Sequence, residues 1–451
     1  MATTPTQRTV RLVLVAGIIA GLSTYLVTPM ERPVQIALAS DVYRTAASAA
    51  LSGEGLYGIY PEGRSGYGFL YPPIAVVPFI LHALVPSASA AFVVQTVLNL
   101  LAAIGTALIC TRALKRREIP VSRTDLGLLI GFMILSSYSA IQFMNGQINL
   151  WLAFAFAIGF DAIDREEGRL AGVAFAVAAL FKVFPAIVGL WLLRLRAIPA
   201  VVAAVVTGVG GLVLGAMLFG PELTLTYLQD VLLGRFEGST YEGRPDPTDN
   251  VDGVHRQLAA VWPDAGFAHT LIGLGLVGTL VASSLLRVET TVERDVAALG
   301  TIVGILLFLP LQPLYFPLIT FPLLMLLYTL PARPERLLVI GATLLTFLHL
   351  DQDSVLLGLG WVPLPAGMEA AIAASTEQLF TFVLPPTLGL WLLLIACATL
   401  QVRTRIAPVR GAPTDTPPAP AAAVATRGVL GAIVGGKGSR SETDRDPESI
   451  N

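Results

Sequence analysis

Charged and polar side chains interrupt this largely apolar chain at a few places, and the first of these contains Asp41. A carboxylate can take a proton from a hydroxyl group as the hydroxyl attacks an electrophile, so Asp41 is a candidate general base. A structural interpretation stays open beside it, because Ser40 or Asp41 could equally cap a short helix that runs to Leu51 and ends at Gly53. The segment predicts a short helix with a candidate base at its start.

Tyrosines accompany Asp41 in the same segment. Tyr43 and Tyr71 are candidate substrate-binding residues because tyrosine rings stack on sugar rings, although tyrosines are also typical of membrane–water interfaces. Arg44 joins them as a candidate substrate contact. Two prolines follow Tyr71 and fix an extended backbone, which predicts a rigid corner that also holds the segment over a site.

Two cations are candidates for binding a phosphate group. Lys182 is one of only three lysines and lies in an apolar run, where a charge is costly and usually functional. The alternative is a side chain that extends to the membrane surface. Arg256 follows Asn250 and stands between His255 and Gln257, and it could pair with an anionic group. This group could equally be an ordinary solvated loop at the start of a helix.

Amide and aromatic side chains lie at two further places where the apolar sequence is interrupted. Gln147 and Asn149 lie between two apolar runs, where amides either cap helix ends and bond neighbouring helices or contact a ligand. Gln312 and Tyr315 follow a break at Pro310 and could line a cavity or simply belong to a tight helical hairpin. We expect neither a metal nor a cofactor, because the four histidines show no ligand spacing and phosphate-loop and dinucleotide-binding patterns are absent.

The composition identifies the kind of molecule that carries these residues. The 451 residues are 54% hydrophobic and only 13% charged, about half the charge of a soluble domain. This excludes a soluble globular enzyme and a disordered chain, and a net charge of −2 gives no basic surface for nucleic acid. Two distant cysteines in apolar runs suggest no disulfide framework. The chain is predicted to be an all-α polytopic membrane protein.

The apolar runs and the basic residues together predict a topology. A bilayer span needs about 20 apolar residues, and loops rich in Lys and Arg stay in the cytoplasm. We predict about twelve transmembrane helices, with both termini cytoplasmic, a re-entrant or interfacial helix near 72–86, and a run at 169–195 that breaks near Lys182. The other predicted spans lie near 9–29, 88–111, 125–144, 147–163, 199–219, 268–286, 296–313, 315–331, 336–350 and 379–400.

This topology divides the chain into a membrane domain and a tail. Residues 1–410 form the predicted membrane domain, and residues 411–451 form a predicted disordered cytoplasmic tail rich in Pro, Ala and Thr. The long segments 30–71, 220–267 and 351–378 lie on the predicted outer side, whereas the inner loops are short and basic. A catalytic site is therefore expected on the outer face of the cell membrane.

The order of several short motifs resembles glycosyltransferase family 87, whose members are polytopic enzymes of the GT-C fold. The resemblance covers roughly residues 9–330 and rests on Asp41-Val42-Tyr43, Gly53, Tyr57, Tyr71-Pro72-Pro73, Gly146-Gln147-Ile148-Asn149, Ala171-Gly172, Lys182 and Pro185. It implies that Asp41 is the catalytic aspartate and that Lys182 and polar residues of the later outer loop lie near the donor. The chain departs from the family where Leu314-Tyr315-Phe316 replaces a histidine-containing segment, so Tyr315 or Gln312 takes over that role or the substrate differs.

The resemblance also implies the substrates. Many members are mannosyltransferases that use polyprenyl-phosphate sugars, which predicts an inverting transfer of a hexose from a polyprenyl or dolichyl phosphate to a glycolipid or glycan acceptor of the cell envelope. The lipid-linked donor is a substrate and not a cofactor, and the expected surroundings are membrane lipid without nucleic acid. Two other hypotheses remain at this stage: a transporter or flippase of a lipid-linked sugar, favoured by the broken helices, and a non-catalytic subunit of an envelope assembly.

Overall fold

The computed structural model describes most of the chain. The described residues are 5–234, 243–249, 251, 253–310, 312–331 and 334–406. The candidate Asn250 and the predicted tail 411–451 lie outside them, and so do the interpretations that rest on these residues.

The described residues form helices and no strands. In the first part of the chain the helices are α1 (Pro5–Glu31), α2 (Leu38–Ser52), α3 (Ile80–Ala83), α4 (Ala88–Arg116), α5 (Arg123–Leu135), α6 (Ser137–Asn145), α7 (Asn149–Asp164), α8 (Gly168–Phe181), α9 (Val188–Arg194), α10 (Ile198–Phe219) and α11 (Pro221–Thr226). Short 3₁₀ helices span Pro33–Gln35, Pro73–Phe79 and Phe184–Ile187, and a π-helix spans Tyr227–Leu233.

The later helices continue the same pattern. They are α12 (Val254–Val261), α13 (Phe267–Ser284), α14 (Thr291–Phe308), α15 (Thr320–Thr329), α16 (Pro334–Thr346), α17 (Gln352–Leu359), α18 (Ala366–Phe382) and α19 (Pro385–Ile406). A 3₁₀ helix at Pro313–Ile319 leads into α15.

Several of these helices can cross a bilayer. Within the described ranges, α1, α4, α10, α13 and α19 are long and apolar enough, and α5 and α6 become a sixth candidate if they are taken as one bent span. Shorter apolar helices lie at 73–83, 168–181, 184–194 and 313–329. The all-helical polytopic membrane protein expected from the composition is thus confirmed.

Two predicted spans differ in the structure. The predicted span 125–144 is bent by 48° between α5 and α6. The predicted span 379–400 starts later, at Pro385, because α18 ends at Phe382 and a proline pair follows. The predicted outer segment 351–378 contains α17 and most of α18.

The helix that carries Asp41 also begins earlier than the sequence predicts. Its N-cap residue is Ala37, and Asp41 lies in the first turn, where its backbone N–H donates to the carbonyl of Ala37 at 2.9 Å. Asp41 is therefore not the cap. The predicted end is confirmed, because Gly53 closes the helix in the left-handed conformation at φ 76°.

The break predicted near Lys182 is confirmed. Helix α8 ends at Phe181, Lys182 has an extended backbone, and a 3₁₀ turn containing Pro185 follows. Helix α8 packs closely on α10, since a Cβ atom on Gly172 would lie 2.1 Å from the carbonyl oxygen of Ala200. The opposite side of α10 exposes a row of aliphatic side chains, as expected of a helix that faces lipid.

Candidate active site

The Lys182 side chain lies at the centre of the candidate site. Because α8 ends one residue earlier and Lys182 is extended, its side chain leaves the helix and reaches α7. The ammonium group donates to Asn149 Oδ1 at 2.9 Å and lies 4.3 Å from the ring centre of Tyr315 and 5.9 Å from that of Tyr71. An amide oxygen and two aromatic faces stabilise a cation without carrying a negative charge themselves.

A hydrogen-bond network fixes the orientation of Asn149. Its Nδ2 donates to Gln142 Oε1 at 3.0 Å and to the carbonyl of Leu314 at 2.9 Å, so Oδ1 faces Lys182. Gln142 Nε2 donates to the same Leu314 carbonyl at 2.5 Å. The network joins α6, α7 and the 3₁₀ helix that carries Tyr315, and Asn149 and Gln142 are fully buried within it.

Tyr43 links α2 to the turn between α6 and α7 that precedes this network. Its hydroxyl donates to Gln147 Oε1 at 3.0 Å and lies 3.1 Å from the hydroxyl of Tyr71, and its ring stacks on Phe79 at 4.1 Å. The hydroxyl of Tyr57 donates to the Tyr71 carbonyl at 2.9 Å and holds the corner before the two prolines. Burial raises the pKa of Tyr43 well above its usual range, so Tyr43 is a neutral hydrogen-bonding group.

A second chain of side chains supports the turn between α6 and α7. Asn99 Nδ2 donates to the carbonyl of Gln147 at 2.9 Å, and Gln95 Nε2 donates to Asn99 Oδ1 at 3.1 Å. His82 Nε2 lies 3.0 Å from Gln95 Oε1. The predicted re-entrant segment 72–86 is thereby connected through α4 to the turn that presents Gln147.

Asp41 occupies a different environment from Tyr43. The two residues are two positions apart on α2, which places them about 200° apart around the helix axis. Asp41 Oδ2 lies 3.3 Å from Arg64, and the Asp41 side chain is 18% exposed. Burial raises the pKa of Asp41, while Arg64 and then Arg44 act against this rise. The Arg44 Nε is buried and has no hydrogen-bond partner among the described residues.

Arg256 is fully buried and donates to backbone carbonyls. Its guanidinium donates to the carbonyl of Phe380 at 2.6 and 2.9 Å, to that of Asp246 at 2.7 Å, and to those of Asp249 and Val251 at 3.0 and 3.3 Å. These contacts tie the loop before α12 to α18. The structure thus gives Arg256 a role in holding these backbone segments together. Its interpretation as a phosphate ligand stays a prediction.

The remaining candidates lie around Arg256 or at the start of a 3₁₀ helix. The His255 ring lies 5.5 Å from that of Phe308, and burial lowers the pKa of His255. Gln257 Oε1 accepts from Trp391 Nε1 at 3.4 Å. Gln312 precedes the helix that carries Tyr315, and its carbonyl accepts from the Tyr315 backbone N–H.

The structure therefore brings together Tyr43, Tyr71, Gln147, Asn149, Lys182 and Tyr315, and it places Asp41 with Arg44 and Arg64. Gln142 and Arg64 were not predicted. Gln142 is a polar residue within an apolar run, which could have drawn attention to it, whereas nothing in the sequence pairs Arg64 with Asp41. In the part of the chain that the structure describes, no three His, Cys, Asp or Glu side chains form a possible metal site.

A family model described as glycosyltransferase family 87 matches residues 69–313, which is more than half of the chain. The chain belongs to glycosyltransferase family 87. It is therefore a membrane glycosyltransferase. Of the three hypotheses that the sequence left open, the family match supports the enzyme. A search of curated proteins gives no match. The residues that the family model matches include Tyr71, Asn149 and Lys182, whereas Asp41 precedes the matched range and Tyr315 follows it.

Proposed function

We propose that this family 87 enzyme transfers a hexose from a polyprenyl or dolichyl phosphate to a lipid-linked or cell-envelope glycan at the outer face of the cell membrane. Mannose is the sugar that the resemblance favours. The observation that carries the proposal is the Lys182 ammonium, held by an oriented amide oxygen at 2.9 Å and an aromatic face at 4.3 Å. A cation that an amide oxygen and an aromatic face hold in place suits the phosphate of a lipid-linked donor.

The surrounding side chains suit a sugar. Tyr43, Tyr71 and Gln147 carry hydroxyl and amide groups that already exchange hydrogen bonds at 3.0 and 3.1 Å, and sugar hydroxyls can enter such a network. Tyr315 contributes a ring face beside Lys182. We assign the phosphate contact to Lys182 in preference to Arg256, because the Arg256 guanidinium already donates to four carbonyl groups.

The proposed reaction is a single inverting displacement. The Asp41 carboxylate takes the proton from an acceptor hydroxyl, whose oxygen forms the new bond to the anomeric carbon. The bond from that carbon to the phosphate oxygen breaks, and the polyprenyl phosphate leaves with the electron pair. Lys182 stabilises the charge that develops on the phosphate. The raised pKa of Asp41 supports its role, since a stronger base accepts a proton more readily.

The proposed topology has about twelve crossings, a re-entrant segment at 72–86 and both termini in the cytoplasm. It puts the segment with Asp41 and the break at Lys182 on the outer side. A lipid-linked donor fits this arrangement, because nucleotide sugars are made in the cytoplasm. The basic residues in the last turns of α4 and after it support the orientation.

The test uses the purified full chain in nanodiscs with polyprenyl-phosphate mannose or polyprenyl-phosphate glucose and a membrane glycolipid extract. We expect a sugar-extended product with one donor. Asp41→Asn should lower turnover by about 10²-fold or more, the range for loss of a general base. Glu54→Gln changes an exposed carboxyl just beyond the end of the same helix; it is the matched control and should leave turnover unchanged.

Lys182 needs a separate variant. Lys182→Met keeps the length of the side chain and removes its charge, so it should weaken binding of the donor by about tenfold or more. Lys115→Met changes an exposed lysine and serves as the control. Full turnover in Asp41→Asn would show that Asp41 is not the general base. An unchanged donor affinity in Lys182→Met would show that Lys182 does not bind the donor phosphate.

A further inference from the structure

Three buried polar residues follow one another behind the candidate active site. They are His82 on α3 and Gln95 and Asn99 on α4, and all three are fully buried. Gln95 and Asn99 are four residues apart and therefore lie on one face of α4. Helix α4 is apolar and long enough to cross a bilayer, where polar side chains are costly and usually have a function. The transfer reaction as proposed above assigns a role to none of the three.

The hydrogen bonds of these residues run in one direction, towards the turn between α6 and α7. Asn99 Nδ2 donates to the carbonyl of Gln147 at 2.9 Å and to that of Gln142 at 3.4 Å. Asn99 Oδ1 accepts from Gln95 Nε2 at 3.1 Å, which turns Gln95 Oε1 towards His82. An amide oxygen only accepts, so His82 Nε2 carries a hydrogen and donates to it at 3.0 Å.

The contacts return from this turn to His82 through Tyr43. Gln147 Oε1 accepts from the Tyr43 hydroxyl at 3.0 Å. The rings of Tyr43 and His82 meet edge to face, with their centres 6.4 Å apart, and the ring of Phe79 lies 4.1 Å from the first and 5.6 Å from the second. Gln147 and Tyr43 are therefore held both by each other and by the buried polar residues behind them.

The turn that Asn99 contacts also determines the position of the Lys182 ammonium group. Asn99 binds carbonyls at both ends of the turn, that of Gln142 in α6 and that of Gln147 just before α7. Two residues after Gln147, Asn149 Oδ1 accepts from Lys182 at 2.9 Å. A shift of the Gln147 carbonyl would therefore move Asn149, and the hydrogen bond that holds Lys182 would move with it.

We propose that His82, Gln95 and Asn99 are positioning residues of this transferase. They hold the turn between α6 and α7 in the place where Asn149 keeps the Lys182 ammonium ready for the donor phosphate. This role rests on the proposed function, because it takes Lys182 as the phosphate contact. The three residues act on the donor through Asn149 and Lys182, so their loss should change the affinity for the donor and leave the affinity for the acceptor unchanged.

The test measures kcat and the donor KM of the purified full chain in nanodiscs, with polyprenyl-phosphate mannose or polyprenyl-phosphate glucose as the donor. Asn99→Leu keeps the size of the side chain and removes its amide. It should raise the donor KM about fivefold, in the range for loss of one hydrogen bond, and leave the acceptor KM unchanged. A smaller amount of folded enzyme would lower the apparent kcat but would not change the donor KM.

Thr106→Val is the matched control for this substitution. Thr106 is fully buried seven residues further along the same face of α4, and its hydroxyl donates to the carbonyl of Ala102 at 2.8 Å within the helix. Valine has nearly the same shape as threonine and lacks the hydroxyl. The donor KM of Thr106→Val should equal that of the wild type.

Two variants of His82 give a second test, which decides if Asn99→Leu does not fold. His82→Gln can put an amide N–H where the histidine Nε2–H lies, so it should keep the bond to Gln95 and the wild-type donor KM. His82→Leu removes the donor and should raise the donor KM. Equal donor KM values in these two variants, or a wild-type donor KM in Asn99→Leu, would overturn the proposal.

A double variant shows whether the effect passes through Lys182. In the Lys182→Met background, Asn99→Leu should raise the donor KM no further, because the contact through which it acts is already lost. Independent, additive effects would overturn the positioning role. A wild-type donor KM in Lys182→Met alone would instead contradict the proposed phosphate contact, so the failure of the proposed function is distinguishable from the failure of this inference.

Discussion

The balance of charge around Asp41 determines when this residue can act as a base. Its pKa is raised by burial and lowered again by Arg64, which lies 3.3 Å away. A base works in its ionised form, so turnover should fall as the pH is lowered through the pKa of Asp41. Arg64 also donates to the carbonyls of Val34 and Ile36, which fixes it beside Asp41.

Arg64→Gln tests this balance. Without the positive charge the pKa of Asp41 rises further, so the acidic limb of the pH–turnover profile should move to higher pH. The profile of the purified enzyme measures this shift. Arg123→Gln, at the start of α5, should leave the limb in place. A limb that stays or moves to lower pH in Arg64→Gln would show that Asp41 is not the titrating base.

The residues of the candidate site could be predicted from the sequence only in part. Gln147, Asn149, Lys182 and Tyr315 were candidates because each lies where an apolar run is interrupted, and such interruptions come together where helices end. Tyr71 was a candidate because tyrosine rings stack on sugar rings. Two kinds of contact cannot be recognised in the sequence. The Leu314 carbonyl is a backbone group, and the Asp41–Arg64 pair depends on the path of the segment between these residues.

At the level of elements, the turn between α6 and α7 holds the site against α2. Gly146 has φ 74°, and a Cβ atom there would lie 2.9 Å from the Cβ of Ser40 and 3.2 Å from its backbone nitrogen. Gly146→Ala therefore combines backbone strain with a steric clash, and it should lower the Tm by several degrees. Gly127→Ala is the control in α5, where a Cβ meets open space, and thermal unfolding in detergent should show little change or a small gain.

The broken helices show which element boundaries a sequence can reveal. A lysine followed by a proline marked the break after α8, and the structure has it at Lys182. The bend of 48° between α5 and α6 has no such signal, because serines stand there in a continuous apolar run without proline. Helices α17 and α18 lie in the segment 351–378, for which the sequence analysis predicted an outer position and no helix.

At the scale of the whole molecule, Arg32 connects the three predicted outer segments. Arg32 pairs with Asp351 at 2.5 Å and donates to the carbonyl of Thr248 at 3.2 Å. These contacts join the segments 30–71, 220–267 and 351–378 to one another. Arg256 adds a second connection, through its bonds to the loop before α12 and to α18.

Arg256→Lys distinguishes the two roles of this residue. Lysine keeps the charge but cannot reproduce the fork of hydrogen bonds to four carbonyls. We expect Arg256→Lys and Arg256→Gln to lower the Tm by similar amounts and to have similar donor KM values. A donor KM that the lysine variant restores and the glutamine variant does not would instead establish Arg256 as a phosphate ligand.

The orientation of the molecule can be measured because its own cysteines are inaccessible. Cys110 and Cys397 are both fully buried, so a thiol reagent should not label the unmodified chain. Glu54→Cys and Lys115→Cys introduce thiols at exposed positions, beyond α2 and near the end of α4. With the active site on the outer face, a membrane-impermeant maleimide should label Glu54→Cys in intact cells and Lys115→Cys only after permeabilisation. The reverse pattern would put Asp41 in the cytoplasm, where nucleotide sugars are available, and the argument for a lipid-linked donor would then lose its basis.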